Sequence, residues 1–202
     1  MKTSNKIAIV IALLALNTKL VSAQTLSVGP MVGLNISTIT AAPNTQHLGG
    51  IALGGFANYS VNSHVGVTAK LLYNQLGSAY TYNGDINRLH YIQLPVTAVY
   101  YFAEEGQQFR PKVFAGLYVG SLLKATHKSG DEVLATNGQP MYNKVDVGGI
   151  LGLGFNYRIK SRTWLNVDAG YNAGFSDLTK NVTDKFHNAA FSLNVGVSFP
   201  VR

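Results

Sequence analysis

The chain has 202 residues, no cysteine, 12% charged residues and a formal net charge of +7. Ordinary soluble domains carry about 25% charged residues, so the composition argues against a soluble globule. The missing thiols exclude a disulfide framework or a thiolate metal site. The basic residues are scattered, without the Lys/Arg runs of a nucleic-acid binder, so no nucleic-acid partner is expected.

The first residues read as an address. Lys2 and Lys6 form a basic head, residues 7–16 are an unbroken apolar run, and Val21-Ser22-Ala23 fits a small-residue cleavage site. A run of that length is too short to span a bilayer, which takes roughly 20 apolar residues. Residues 1–23 are therefore expected to be a signal peptide and 24–202 a single domain. Removing Lys2, Lys6 and Lys19 leaves 13 basic and 9 acidic residues, a net charge of +4.

From Leu26 onward one pattern repeats eight times, at 26–37, 50–60, 65–76, 89–102, 112–125, 145–157, 164–175 and 190–201. In each, apolar side chains alternate with small or polar ones. Successive side chains on a strand point to opposite faces, so each copy is a strand with one greasy and one polar side. In the last copy Phe191, Leu193, Val195, Val197, Phe199 and Val201 share a face opposite Ser192, Asn194, Gly196, Ser198, Pro200 and Arg202. The connections alternate between long (38–49, 77–88, 126–144, 176–189) and short (61–64, 103–111, 158–163). Outer-membrane barrels have an even number of antiparallel strands, short periplasmic turns and longer external loops. The expected fold is all-β: an eight-stranded antiparallel up-and-down transmembrane barrel with both ends in the periplasm.

Alternation alone does not say which face meets water. The polar faces are dominated by Gly, Ser, Asn and Thr, as in Gly148, Gly152, Gly154 and Asn156. A solvated surface would carry more Lys and Glu, whereas small residues suit the narrow interior of an eight-stranded barrel. The apolar parity is thus expected to face lipid. On that parity Tyr59, Tyr100, Phe102, Phe155, Tyr157 and Phe199 fall near the periplasmic ends, and Tyr73, Tyr171, Phe175 and Phe191 near the outer ends. This is the sorting of interfacial aromatic girdles. Lys70, Lys112, Lys124, Asp146 and Asp168 fall on the inward parity, where buried charges must pair, and a lumen network is expected. Pro95, also inward and unable to donate to a ladder, predicts a bulge or local irregularity.

Five segments together resemble a known family: Gly33-Leu34-Asn35-Ile36-Ser37, His90-Tyr91-Ile92-Gln93-Leu94-Pro95, Ala115-Gly116-Leu117-Tyr118-Val119-Gly120, Gly152-Leu153-Gly154-Phe155 and Gly170-Tyr171-Asn172-Ala173-Gly174. In this order and spacing the chain is similar to the PorT-type outer-membrane β-barrel domain proteins of Bacteroidota. The resemblance covers most of residues 24–202 and implies an outer-membrane location, without a uniform activity. Its named member is linked to protein secretion. The ending Phe199-Pro200-Val201-Arg202 departs from the usual terminal aromatic of such barrels, leaving Phe199 to serve.

Candidate chemistry is sparse. His47, His90, His127 and His187 map to the outer loops or their edges and His64 to the periplasmic side. With Ser129, Asp131, Ser176 and Asp177 they are the material from which a hydrolase or acyltransferase site would be built. No Gly-x-Ser-x-Gly elbow or His-Glu-x-x-His helix fixes their geometry. No catalytic, cofactor-binding or metal-ligating residue is therefore assigned, and no cofactor is expected. The leading expectation is a non-enzymatic outer-membrane barrel with a structural or surface-interaction role. Its expected partners are outer-membrane lipid, the barrel-assembly machinery during insertion and a protein at the external loops. Two alternatives stand beside it: a lipid-modifying barrel of the lipid A acyl hydrolase or transferase type, and a secreted soluble barrel carrying an apolar ligand. Loop 126–144 is the first candidate for recognition, because Gly130, Asp131, Asn137, Gly138 and Pro140 favour turns.

Overall fold

In a computed structural model, the chain is described over residues 25–40, 44–81, 84–134, 138–179 and 185–201. The expected leader, 1–23, and Asn137 lie outside these residues. Eight strands succeed one another: β1 (Thr25–Thr40), β2 (Thr45–Ser60), β3 (Val65–Tyr80), β4 (Ile86–Tyr101), β5 (Phe109–Thr126), β6 (Val145–Lys160), β7 (Thr163–Gly174) and β8 (His187–Pro200). Each pairs antiparallel with its neighbours, and β1 pairs with β8 to close the sheet. The closing seam runs from Ser27 opposite Pro200 to Thr40 opposite His187, and skips Gly29 and Pro30.

The faces sort as the alternation requires. Leu34, Leu151, Leu153 and Phe191 are each at least 63% exposed on the outside, while Asn35, Thr68, Asn74, Thr97 and Asn166 are buried inside. A barrel with its apolar side out and its amides inside is a lipid-embedded one, which removes the soluble-carrier alternative. The aromatics form contacts on that outer surface: Tyr100 meets Phe102 edge-on at 5.4 Å, and Tyr171 meets Phe191 at 4.8 Å.

The small inward residues have a packing reason. A Cβ on Gly152 would overlap the ring of Phe114, and one on Gly148 the ring of Tyr118. These two aromatics lie across the glycines of β6 and fill the lumen with rings where the wall is bare backbone.

Two expectations are corrected, and a third takes a definite form. The connections 38–49 and 77–88 are not long loops: β1 runs on to Thr40 and β2 starts at Thr45, while β3 runs on to Tyr80 and β4 starts at Ile86. Beyond the bilayer a hairpin has water on both sides, so the apolar alternation that marks a strand fades although the ladder continues. Lys124 is not in the lumen. Leu89 pairs with Ala125 and His90 with Lys124, but Tyr91 pairs with Leu122, so Leu123 is an extra residue in β5. Such a bulge shifts the parity of the residues beyond it, and Lys124 turns outward while Ala125 is buried. Pro95 sits inward as expected, and the local irregularity there is a gap in the ladder rather than a bulge. Register continues from Val96 opposite Ala69 to Gln93 opposite Leu72, and the ladder to β3 simply omits the two residues between.

Candidate functional site

The end of the barrel with connections 127–144 and 175–186 is the extracellular one by the rule that short turns are periplasmic. Here the described parts of both connections fold down onto the mouth. Val133 and Tyr142 from the first and Leu178 from the second are buried against Ile39, Leu76, Leu89 and Tyr91 of the wall. The loops are stitched together as well. Asn143 donates its backbone N–H to the Leu178 carbonyl at 2.7 Å and its amide to the carbonyls of Asp177 and Thr179. Asn87 of β4 donates to the Tyr142 hydroxyl at 2.7 Å. The turn-rich loop therefore has two sides, an apolar underside that plugs the mouth and an exposed rim with Lys128, Asp131, Glu132 and Leu134.

Two carboxylates anchor this cap. Asp85 accepts the backbone N–H groups of Ile86 and Lys128, and His127 Nδ1 lies 2.8 Å from its other oxygen. Those backbone donors, with the His127 contact, hold the Asp85 carboxyl below the usual carboxylate range. Asp177 accepts the N–H groups of Thr179 and Phe186, with the same downward effect.

Beneath the cap the lumen is polar and filled. Asp146 is fully buried, accepting from Asn188 at 2.8 Å, Ser176 at 2.8 Å and Tyr118 at 3.4 Å. At mid-barrel Asn35 donates to Asn74, and Asn74 donates to Gln93 at 2.6 Å. A void of about 10 Å³ remains between these amides and Lys70, room for at most about one water. Nearer the periplasm Lys70 and Lys112 flank Asp168 at 2.7 and 2.6 Å. Lys70 also lies 5.4 Å from the centre of the Phe114 ring. The expected lumen network is thus present for four of its five residues, Lys124 being the exception. The periplasmic mouth holds a polar recess of about 280 Å³ whose walls include Tyr101, Arg110, Asn156, Arg158 and Trp164.

The histidines do not converge. His64 meets the Tyr101 carbonyl on the periplasmic side, His127 meets Asp85, and His187 meets the backbone carbonyl of Ser176. His90 stands on the outside of the wall, between Tyr73 and Thr126. The Ser176 hydroxyl donates to Asp146 and accepts from the Val147 N–H, so it is a structural clasp with no imidazole on its oxygen. Ser129 donates to Asp131 within an exposed turn. Among the described residues no three His, Asp or Glu side chains gather as a metal site would require.

The outer membrane protein beta-barrel domain matches residues 22–180 of the chain. The chain belongs to that family. Its place is the outer membrane, as the greasy exterior and filled polar lumen require. Solved structures share this barrel. Neisserial surface protein A superposes with a TM-score of 0.62 at 14% identity, covering 87% of this chain and 97% of its own. OprG from Pseudomonas aeruginosa gives 0.56 at 17% identity, covering 89% and 97%. Outer membrane protein W of E. coli gives 0.53 at 14% identity, covering 89% and 98%. No curated protein matches this outer-membrane barrel in sequence.

Proposed function

We propose that this outer-membrane barrel is a non-enzymatic surface protein that acts through its loop rim and outer wall rather than by passing solutes. The observation that carries this is the closed path. An apolar cap of loop residues, an amide layer with a void of about 10 Å³ and a buried ion triad lie in series along the axis. The narrow bore of eight strands gives no room to bypass them. The lipid-modifying alternative needs a nucleophile beside a base, and the loop serines Ser129 and Ser176 are engaged with carboxylates instead.

The exposed rim around Lys128, Asp131, Glu132 and Leu134 is the surface we assign to a protein partner. The resemblance to PorT-type proteins supports a finer form of this reading, in which the partner belongs to protein secretion or envelope maintenance. Insertion through the barrel-assembly machinery after cleavage behind Ala23 belongs to the same proposal.

The purified barrel, reconstituted in a planar bilayer, should show no steady conductance, and a variant lacking the loop core around Val133 and Tyr142 should stay closed too, because the amide layer and the ion triad still fill the bore. Stable conductance steps from the unaltered protein would refute the closed lumen. Cysteines placed at Lys128 or Glu132 should react with an impermeant reagent on intact cells. Labelling only after the outer membrane is breached would invert the orientation.

A further inference from the structure

The β-bulge at Leu123 has a product. By turning Lys124 out of the lumen it creates a cationic spot on the lipid-facing wall near the extracellular rim. Lys124 stands directly across from His90, and His90 directly across from Gln75 on β3. Arg88, two residues from His90 on β4, shares its face, so three basic side chains lie in one band of the outer wall, Lys124 on β5, His90 on β4 and the Arg88 head reaching over β3 to Gly49 of β2. The charges that bear on His90 come from Lys124 and Arg88 and are both positive.

The spot is built rather than loose. His90 is buried, with Nδ1 2.6 Å from the Tyr73 hydroxyl and Nε2 3.1 Å from Thr126 Oγ1, and it acts as a rigid spacer. Arg88 is held by Nη1, which donates to the Gly49 carbonyl and to Gln75 Oε1, both at 3.0 Å. Its Nε and Nη2 have no partner among the described residues, and neither has the exposed Lys124 ammonium. Asp85 is committed to Ile86, His127 and Lys128. Glu132, bridged to Thr126 through backbone, makes no ion pair among the described residues. Directly below, toward the bilayer, the same wall is apolar: Leu71, Ile92, Leu94 and Val119 are all exposed.

Free cationic donors above an apolar strip, at the depth where hydrocarbon gives way to headgroups, match an anionic lipid end to end. Guanidinium donors suit phosphate in particular. We propose that Arg88 and Lys124, on either side of His90, bind the phosphorylated headgroup of an outer-leaflet lipid whose acyl chains run along Leu71, Ile92, Leu94 and Val119. The site extends the proposed surface role and rests on the same orientation of the barrel. Binding in micelles reads the patch whichever way the barrel lies in a membrane, so a failure here is distinguishable from a failure of the orientation.

The test uses the folded full-length barrel in neutral detergent, with lipid retention read by native mass spectrometry. The probes are lipid A with its phosphates, lipid A after phosphate removal, and inorganic phosphate as competitor. Phosphorylated lipid A should bind, and the dephosphorylated form should bind far more weakly. The R88Q/K124Q pair should weaken binding roughly thirtyfold, and K124Q alone about fivefold. K160Q, the same charge loss at the periplasmic end of β6, should change nothing. Lys124 has no partner to lose, so K124Q keeps the test open should the pair fail to fold. Equal binding of both lipid A forms would overturn the proposal. So would unchanged binding by K124Q, or displacement of the lipid by inorganic phosphate at equal concentration, which would make this a simple anion site.

Discussion

Asp168 holds Lys70 on one carboxylate oxygen and Lys112 on the other, joining β3, β5 and β7 across the lumen through one buried carboxylate. The group carries one more positive than negative charge, and the Phe114 ring beside Lys70 offers its electron-rich face to the surplus. Removing one partner of a buried ionic group leaves an uncompensated charge, which costs about 3–5 kcal/mol. Asp168→Asn should destabilise the folded barrel by that order, read as a lower urea midpoint in micelles. Replacing all three residues by apolar ones of similar volume should cost far less. A neutral effect of Asp168→Asn would mean that the triad is solvated.

The cap should behave as core, not as loop. Leu178 is 1% exposed under the mouth and Leu134 is 47% exposed on the rim. Leu178→Ala should cost about 2–5 kcal/mol, as deletions in packed cores do. Leu134→Ala should stay within about 0.5 kcal/mol. Thermal loss of the compact gel form would compare the two variants, and similar effects from both would dissolve the distinction.

Acid should loosen the cap before the barrel. Asp85 and Asp177 both have carboxyls held below the ordinary value by backbone N–H donors. A depressed folded pKa contributes stability that is complete above the unfolded value and is lost as pH falls through the folded one. The clasp should therefore persist down to about pH 4, the ordinary carboxylate value, and weaken below it. Amide exchange at residues 127–133 and 176–179, corrected for intrinsic rate, should rise on acidification while mid-strand amides hold. Unchanged protection of these segments would argue that packing alone holds the loops.

Parity can be read one residue at a time. Leu153 lies at mid-strand on β6 and is exposed, whereas Gly154 beside it faces inward against Asp168. Leu153→Arg should impair insertion by about 2–4 kcal/mol, the cost of arginine near the bilayer midplane. A lipid-phase quencher should silence a label at 153 and spare one at 154. Comparable quenching at both would reverse the face assignment.

Strand number, order and facing were legible in the alternation because lipid on one side and a filled lumen on the other impose the same period along every strand. Lys70, Lys112, Asp146 and Asp168 were legible as interior charges for that reason. Lys124 was not. Its parity matches Lys112, and the extra residue at Leu123 leaves no mark in the apolar pattern, since Leu122 and Leu123 are equally greasy. The extension of β1 to β4 past the bilayer was hidden because Thr38, Thr40, Thr45 and Gln46 show no greasy face. The cap was hidden because its apolar residues, Val133 beside Leu134, Tyr142 beside Met141 and Leu178 alone, are short and scattered among turn formers, and only the folded mouth brings them together.

The seam between β1 and β8 joins opposite ends of the chain, whereas every other strand pair is a hairpin of neighbours. Seven hairpins can zip locally, one after another, but the eighth pairing must wait for the whole curved sheet to exist. Until His187–Pro200 docks, the intermediate presents two bare edges at once, one along Thr25–Thr40 and one along β8, each able to pair with another molecule. At the periplasmic end the seam skips Gly29 and Pro30, and Pro200 adds a second residue without an N–H. The last join is therefore also the one with the fewest rungs at its lower end. Barrel completion is a single late event, and fraying of the finished molecule should begin where it was sealed.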